Sequence, residues 1–235
     1  RLTRMPCSCS RLMLAAMALF AVEDLFLKWL AVGLPLGQII LVSGALGAPI
    51  FVAMAWAQGI DNETIARALS SFENSREQNP GRYNVIDGLP FDVLVDFAHN
   101  PAGVRGICSV AAAMPVAGRR LLCSLNVGSR HPGHFETLAP VLAATFDEFV
   151  LGCDPVLVGA CPEYAGDDPG AAMVARSRAL LLDQGVDPDR MVCEMDRPAA
   201  LRAVLDRARD GDLVVLLADD EEAHRIVEQW RAGPG

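Results

Sequence analysis

Five short apolar runs restrict the fold of this chain more than any other feature. "DVLVDFA" (92–98), "RLLCSLNV" (120–127), "EFVLG" (148–152), "MVCEM" (191–195) and "DLVVLLA" (212–218) are separated by stretches of helical length at about 101–115, 135–145, 169–185, 198–209 and 220–231. The runs are rich in Val and Leu and do not alternate with polar residues, so each strand is expected to be buried on both faces, as in a parallel sheet covered by helices. The expectation is an α/β domain with a Rossmann-like, doubly wound, mostly parallel sheet. The polar stretch "ENSREQNPGR", closing on Pro80-Gly81, is the best domain boundary, and it divides the chain into 1–78 and 79–235.

The first part reads differently. From Trp29 to Ala57 there is no charged residue, which meets the length of about 20 apolar residues that a membrane span needs. Four Gly and two Pro interrupt the run, however, and favour soluble burial as a strand "QIILVS" followed by a helix from Pro49. Both readings stay open, because an apolar run has no periodicity to arbitrate. A second helix is expected in "DNETIARALSSF", capped by Asp61 or Asn62, with Ile65, Leu69 and Phe72 on one face. The run Leu12 to Val22 follows three Arg and has the length of a secretory signal, but "AVEDLF" is a poor cleavage site. The chain begins with Arg rather than Met, which suggests a fragment.

A net charge of -9 argues against electrostatic wrapping of nucleic acid, which needs clustered Lys and Arg. Seven Cys without paired CxxC spacing are expected to be reduced, packed thiols of a cytoplasmic protein. No metal site is expected: His131 and His134 in "HPGH" lack a third ligand nearby in sequence and read as surface-loop histidines.

The candidate site lies where the first long strand ends in "DFAHNP". Ligands of such sheets sit beyond the carboxyl ends of the strands, and Asp96, His99 and Asn100 stand there, with Pro101 suited to the first turn of a helix. By itself Asp96 would more often be a helix cap. The second strand ends in "NVGSRHPGH", where Arg130 offers a planar fork suited to phosphate or carboxylate. The acidic run "DDEE" at 219–222 reads as charge that offsets a helix dipole, and Arg119 and Arg120 as solvated edge residues.

"NPGR" followed by "VLVDFAHNPAGV" resembles the carboxy-terminal domain signature of the Mur ligase family: G-R, a short strand pair, then D-Y-A-H-N/T-P. The wording "REQNPGRYNV" is most similar to the cyanophycin synthetase branch, and "GDLVVLLADD" to the family's last core strand. The resemblance covers about residues 48 to 235. It implies an ATP-dependent amide ligase that forms an acyl phosphate, with ATP and Mg2+ as cofactors and an amino acid or acidic peptide as substrate. It implies that Arg82 contacts nucleotide phosphate, that Asp96 lies at the ribose, that His99 and Asn100 close the active site, and that Arg130 holds substrate or phosphate. It also makes residues 1–78 a partial helical and strand remnant of the central ATPase domain.

Departures from the family pattern are equally plain. No G-x-x-x-x-G-K-[ST] phosphate loop occurs in the chain, asparagines expected near "LGAPIFVAMAWAQGI" are absent, and Ser129 stands where Asp usually precedes Arg130. The chain is therefore expected to be a fragment or a derived relative, served by a completing ATPase domain or a homo-oligomer. The alternatives are a noncatalytic domain that binds a nucleotide or an amino acid, and a domain tethered to a membrane through 29–57.

Overall fold

In the computed structural model, the structure describes residues 36–125, 127, 131–159, 161–164 and 166–233. The chain forms two compact units that divide between Phe72 and Glu73.

The described part of the first unit is a helical hairpin. Helix α1 (Leu36–Ala57) runs without interruption through Pro49, and α2 (Asn62–Ser70) follows a short turn. The expected strand "QIILVS" is thus helical, and the glycines do not break it. Within a helix Pro49 removes one backbone donor, a local cost, and apolar composition alone does not separate helix from buried strand. Asp61 caps α2 by accepting from Thr64 N at 2.7 Å. None of the α2 residues is buried, and Phe51, Met54, Trp56 and Leu69 are more than half exposed. Among the residues whose side chains are described, no helix is long and apolar enough to cross a membrane.

The second unit is built on a six-stranded sheet. Its strands are β1 (Asn84–Ile86), β2 (Asp92–Asp96), β3 (Arg120–Ser124), β4 (Glu148–Leu151), β5 (Met191–Cys193) and β6 (Leu213–Leu217). Their order is β1-β2-β6-β3-β4-β5, with β1 antiparallel to β2 and every other pair parallel. The five apolar runs are the five parallel strands; β1 is a short edge strand with an alternating burial pattern.

Helices α3 (Pro101–Ala113), α4 (Pro132–Thr145), α5 (Pro155–Gly159), α6 (Pro169–Asp183), α7 (Arg197–Arg207) and α8 (Asp220–Ala232) complete the unit. They divide between two faces, because strand side chains alternate in direction. Leu94, Leu122, Phe149 and Val215 pack with α3, α4 and α6 in one cluster. Val93, Val95, Leu121, Val150 and Val214 pack with α7 and α8 in the other. Strand β6, with every residue buried, is shared by both layers. Burying each such side chain contributes about 1.5–3 kcal/mol, which explains why the runs lack polar alternation.

Arg119 and Arg120 are not solvated edge residues. Strand β3 lies inside the sheet, and Arg119 reaches Asp212 Oδ2 (2.7 Å), Glu148 and the carbonyl of Arg207 (2.8 Å). Arg120 donates to the carbonyls of Ala111 (2.9 Å) and Met114 (3.2 Å), closing the carboxyl end of α3. Cys108, Cys123, Cys153 and Cys161 are buried free thiols and Cys193 is an exposed one; Cys7 and Cys9 lie outside the described residues.

Candidate functional site

Parallel strands place all their carboxyl ends on one edge of the sheet, and β2 and β6 are neighbours there. Asp96 pairs with Leu217 at the last register position. Beside them β1, running the other way, brings its amino end to the same edge, with Asn84 opposite Val95. The turn Gly81-Arg82-Tyr83 just before β1 therefore sits above the end of β2, next to the first turn of α8. Together they line a cavity of about 570 Å³ bounded by Arg76, Gly81, Arg82, Phe97, Asp219 and Asp220, among others.

The turn is held at unusual backbone angles. Gly81 has φ +66° and Tyr83 has φ 52°, a left-handed conformation uncommon outside glycine and costly for a bulky residue. Buried polar groups stabilise it. Asn84 is buried, accepts from Gly81 N at 2.7 Å, and donates to the carbonyls of Asn79 (3.1 Å) and Arg82 (3.3 Å). Asp96 accepts from Tyr83 N (3.0 Å) with one oxygen and from Ala98 N (2.7 Å) with the other. Phe97 N donates to the Gly81 carbonyl at 3.0 Å, and Asp220 Oδ1 accepts from Gly81 N at 3.0 Å.

The consequence is a fixed base with a free end. Backbone contacts locate Arg82 on both sides, while its side chain is exposed and, among the described residues, makes no ion pair. The other cavity arginine, Arg76, is engaged: its Nε donates to Asp220 Oδ2 at 3.1 Å. Asp220 also lies 3.2 Å from His224 Nδ1. Asp219 caps α8, accepting from Glu221 N (3.1 Å) and Glu222 N (3.4 Å). Farther along the edge, Arg197 joins Asp154 (3.0 Å) to Glu222 (2.7 Å).

The residues expected from sequence are only partly gathered. Asp96 is 4% exposed, and both its oxygens are spent on backbone N–H groups. Burial raises its pKa above the ordinary carboxylate value, against the lowering effect of those two N–H groups. Its place is beneath the turn, where it shapes Tyr83 and Ala98. Asn100 caps α3, its Oδ1 accepting from Gly103 N at 2.9 Å. His99 is half-buried, with Nδ1 3.0 Å from the Phe97 carbonyl and its ring edge-on to Phe97 at 5.4 Å. Arg130 lies outside the described residues, as do Gly128 and Ser129.

His131 caps α4, its Nδ1 accepting from Gly133 N at 3.1 Å, and its ring stacks on His134 at 5.2 Å. Burial, followed by the nearby His131 and His99, lowers the His134 pKa. Among the described residues no three His, Cys, Asp or Glu side chains are grouped to hold a metal ion. The residues that sequence reasoning missed are Arg76, Asn84 and Asp220. Asn84 carried a usable signal: an Asn just after a G-R pair can turn its amide back on its own backbone. Asp220 carried none, since its partner Gly81 is 139 residues away.

A family model described as Mur ligase, glutamate ligase domain, matches residues 81–219. The diaminopimelate ligase of Syntrophomonas wolfei, which joins that residue to UDP-N-acetylmuramoyl-L-alanyl-D-glutamate, is 28% identical over 180 residues, covering 75% of this chain and 33% of that protein. Cyanophycin synthetase of Geminocystis herdmanii is 27% identical over 180 residues, covering 76% of this chain and 19% of that protein. Among solved structures, the UDP-N-acetylmuramate-alanine ligase of Thermotoga maritima aligns with a TM-score of 0.46 and 16% identity, covering 78% of this chain and 36% of that one. The chain spans about a third or less of the curated relatives named here.

Proposed function

The chain belongs to the Mur ligase family, and on that premise we propose that its α/β unit forms the phosphate-facing wall of an ATP-dependent amide ligase, with Arg82 as the cation that meets the nucleotide. The observation that carries this reading is the strained, buried-polar turn that holds Arg82 at the cavity with its guanidinium unpaired among the described residues. Strain of this kind persists where surrounding groups over-determine it, and it clusters at ligand clamps.

The cavity fits the polyphosphate end of a nucleotide in part. Arg82 offers a forked donor suited to phosphate oxygens, and the Phe97 ring offers an apolar surface beside it. Asp220 would oppose an anion, but Arg76 offsets its charge. The first turn of α8 is capped by Asp219, so its N–H groups add little. When bound as its magnesium complex, ATP would supply the phosphoryl group that converts a carboxylate into an acyl phosphate with release of ADP, and an amine attacking that acyl carbon would then expel inorganic phosphate to leave the amide. For that chemistry a protein provides charge neutralisation and alignment rather than a nucleophile. Arg82 neutralises and orients; Asp96 and Asn84 keep it in place; His99 and Asn100 border the strand end where the reacting groups would gather.

Arg130 is retained in this reading as the residue that holds incoming substrate or phosphate, and an amino acid or acidic peptide as the substrate. The phosphate loop that this chain lacks would come from a completing ATPase domain. Buried free thiols support a reducing, cytoplasmic setting. A second reading is a domain that binds a nucleotide or an amino acid in the same cavity without turnover.

Calorimetric titration with the magnesium complex of a nonhydrolysable ATP analogue tests the proposal. Arg82→Ala should weaken binding by about 10- to 100-fold, the worth of a charge-assisted hydrogen bond or two, with an unchanged circular dichroism spectrum. Equal binding by parent and variant would remove Arg82 from the site and sink the reading. Product formation on adding the phosphate-loop domain and substrates would favour the ligase over the binding module.

A further inference from the structure

Resting on that reading of the cavity, we propose that Asp220 is a positioning residue for Arg82, and not merely one of several acids at a helix start. Its two oxygens do different work. Oδ1 accepts from Gly81 N at 3.0 Å, immediately before Arg82, and Oδ2 accepts from Arg76 Nε at 3.1 Å. The contact is close along its length: a Cβ placed on Gly81 would stand 3.2 Å from Asp220 Cβ. Asp220 thereby joins the segment 76–82 to the first turn of α8.

The other contacts of the turn have different reach. Asn84 shares the Gly81 N–H, but it belongs to the same turn and gives it shape without placing it on the domain. Asp96 and Phe97 attach the turn to the end of β2. Asp220 attaches it to α8, whose first turn lines the same cavity as Arg82. Its charge is directed as well. Asp220 engages Arg76, whereas no ion pair among the described residues engages Arg82, so one cation is spent on the wall and the other left for a ligand. Asp219 and Glu221, on either side, do neither: Asp219 takes α8 backbone N–H groups, and among the described residues Glu221 makes no hydrogen bond or ion pair to the segment 76–82.

The test is a double-mutant cycle, because residues acting as one unit give non-additive losses while independent ones add. With the full chain and the same magnesium–nucleotide complex, Asp220→Ala should weaken binding about tenfold, and Asp220→Asn, which keeps an acceptor for Gly81, by only about threefold. The Arg82→Ala/Asp220→Ala double variant should bind no more weakly than Arg82→Ala alone. Additive losses, or parental affinity in Asp220→Ala, would overturn the positioning role. Should the parent itself bind no nucleotide, the proposed function fails, and the positioning claim is decided by amide exchange at Gly81. Exchange about tenfold faster in Asp220→Ala and near parental in Asp220→Asn supports it; unchanged exchange in Asp220→Ala refutes it.

Discussion

The two edges of the parallel sheet use the same residue types to opposite ends. At the amino edge, Arg119 is saturated by Asp212, Glu148 and the Arg207 carbonyl, and Arg207 completes the group by donating to Glu148 at 2.7 Å. At the carboxyl edge, Arg82 sits on a turn of comparable polar density, yet among the described residues its guanidinium makes no ion pair. A closed network holds strands together, whereas an open one holds a charge ready. The difference lies in what the carboxylates bond: Asp212 takes the Arg119 guanidinium as well as two backbone N–H groups, while among the described residues Asp96 accepts from backbone N–H groups alone.

The strongest challenge to this contrast is Asp212→Ala. Asp212 is 3% exposed and accepts from Arg119 N (2.6 Å), the Arg119 guanidinium and Arg209 N (2.9 Å). Removing it takes one of the two carboxylates that Arg119 binds and leaves the Arg119 and Arg209 N–H groups without their acceptor, at a cost of about 1–3 kcal/mol for each buried donor left unsatisfied. Urea denaturation should show that loss while nucleotide affinity of the folded fraction stays parental; a loss below about 1 kcal/mol would make the amino edge ordinary surface.

Next in size is Gly81→Ala. At φ +66° an added Cβ costs about 1–2 kcal/mol from backbone strain alone, and it crowds Asp220. Both stability and nucleotide affinity should fall. A neutral outcome in both would mean that the turn is loose and does not hold Arg82.

The pH dependence sharpens the comparison by sign. Burial raises the pKa of Asp96 in the folded state, so above its unfolded value near 3.8 this group favours folding less as pH climbs through the raised value. Burial also acts on Asp212, but donors from Arg119 and Arg209 outweigh it and lower the pKa. Its stabilisation is therefore present above 3.8 and lost as pH falls through the lowered value. The stability profile of Asp96→Asn should deviate from the parent as pH rises above 3.8, and that of Asp212→Asn as pH falls below it, with opposite slopes. Slopes of the same sign would erase the distinction between the edges. The smallest expected effect is Arg82→Ala on stability, within about 0.5 kcal/mol, since its side chain is exposed; a larger drop would give Arg82 a structural role.

Much of the α/β unit was legible because buried parallel strands must be apolar on both faces, and because Pro101, Pro132 and Pro169 each open a helix. The hairpin was harder. Gly44, Gly47 and Pro49 suggested breaks in a segment that remains one helix, where local propensity gave way. Strand β1 is too short and too exposed on alternate residues to announce itself. At the site, the strand-end and G-R motifs pointed to Asp96, His99, Asn100 and Arg82, but nothing in the sequence pointed to Arg76 or Asp220. Arg76, Gly81 and Asp220 meet across the fold, and Arg119 meets Asp212 over 93 residues, distances at which no periodic pattern operates.

One consequence of the strand order concerns synthesis. Strand β6 lies between β2 and β3 and pairs with both, yet it is the last strand to be made. Until the ribosome has delivered Leu213–Leu217, β2 and β3 have no shared neighbour, and each presents an unpaired edge of Val and Leu backbone of the kind that recruits other chains. The sheet is thus held open until β6 is made, and a chain stopped before Asp212 should be captured by chaperones or aggregate where one that includes β6 and α8 folds.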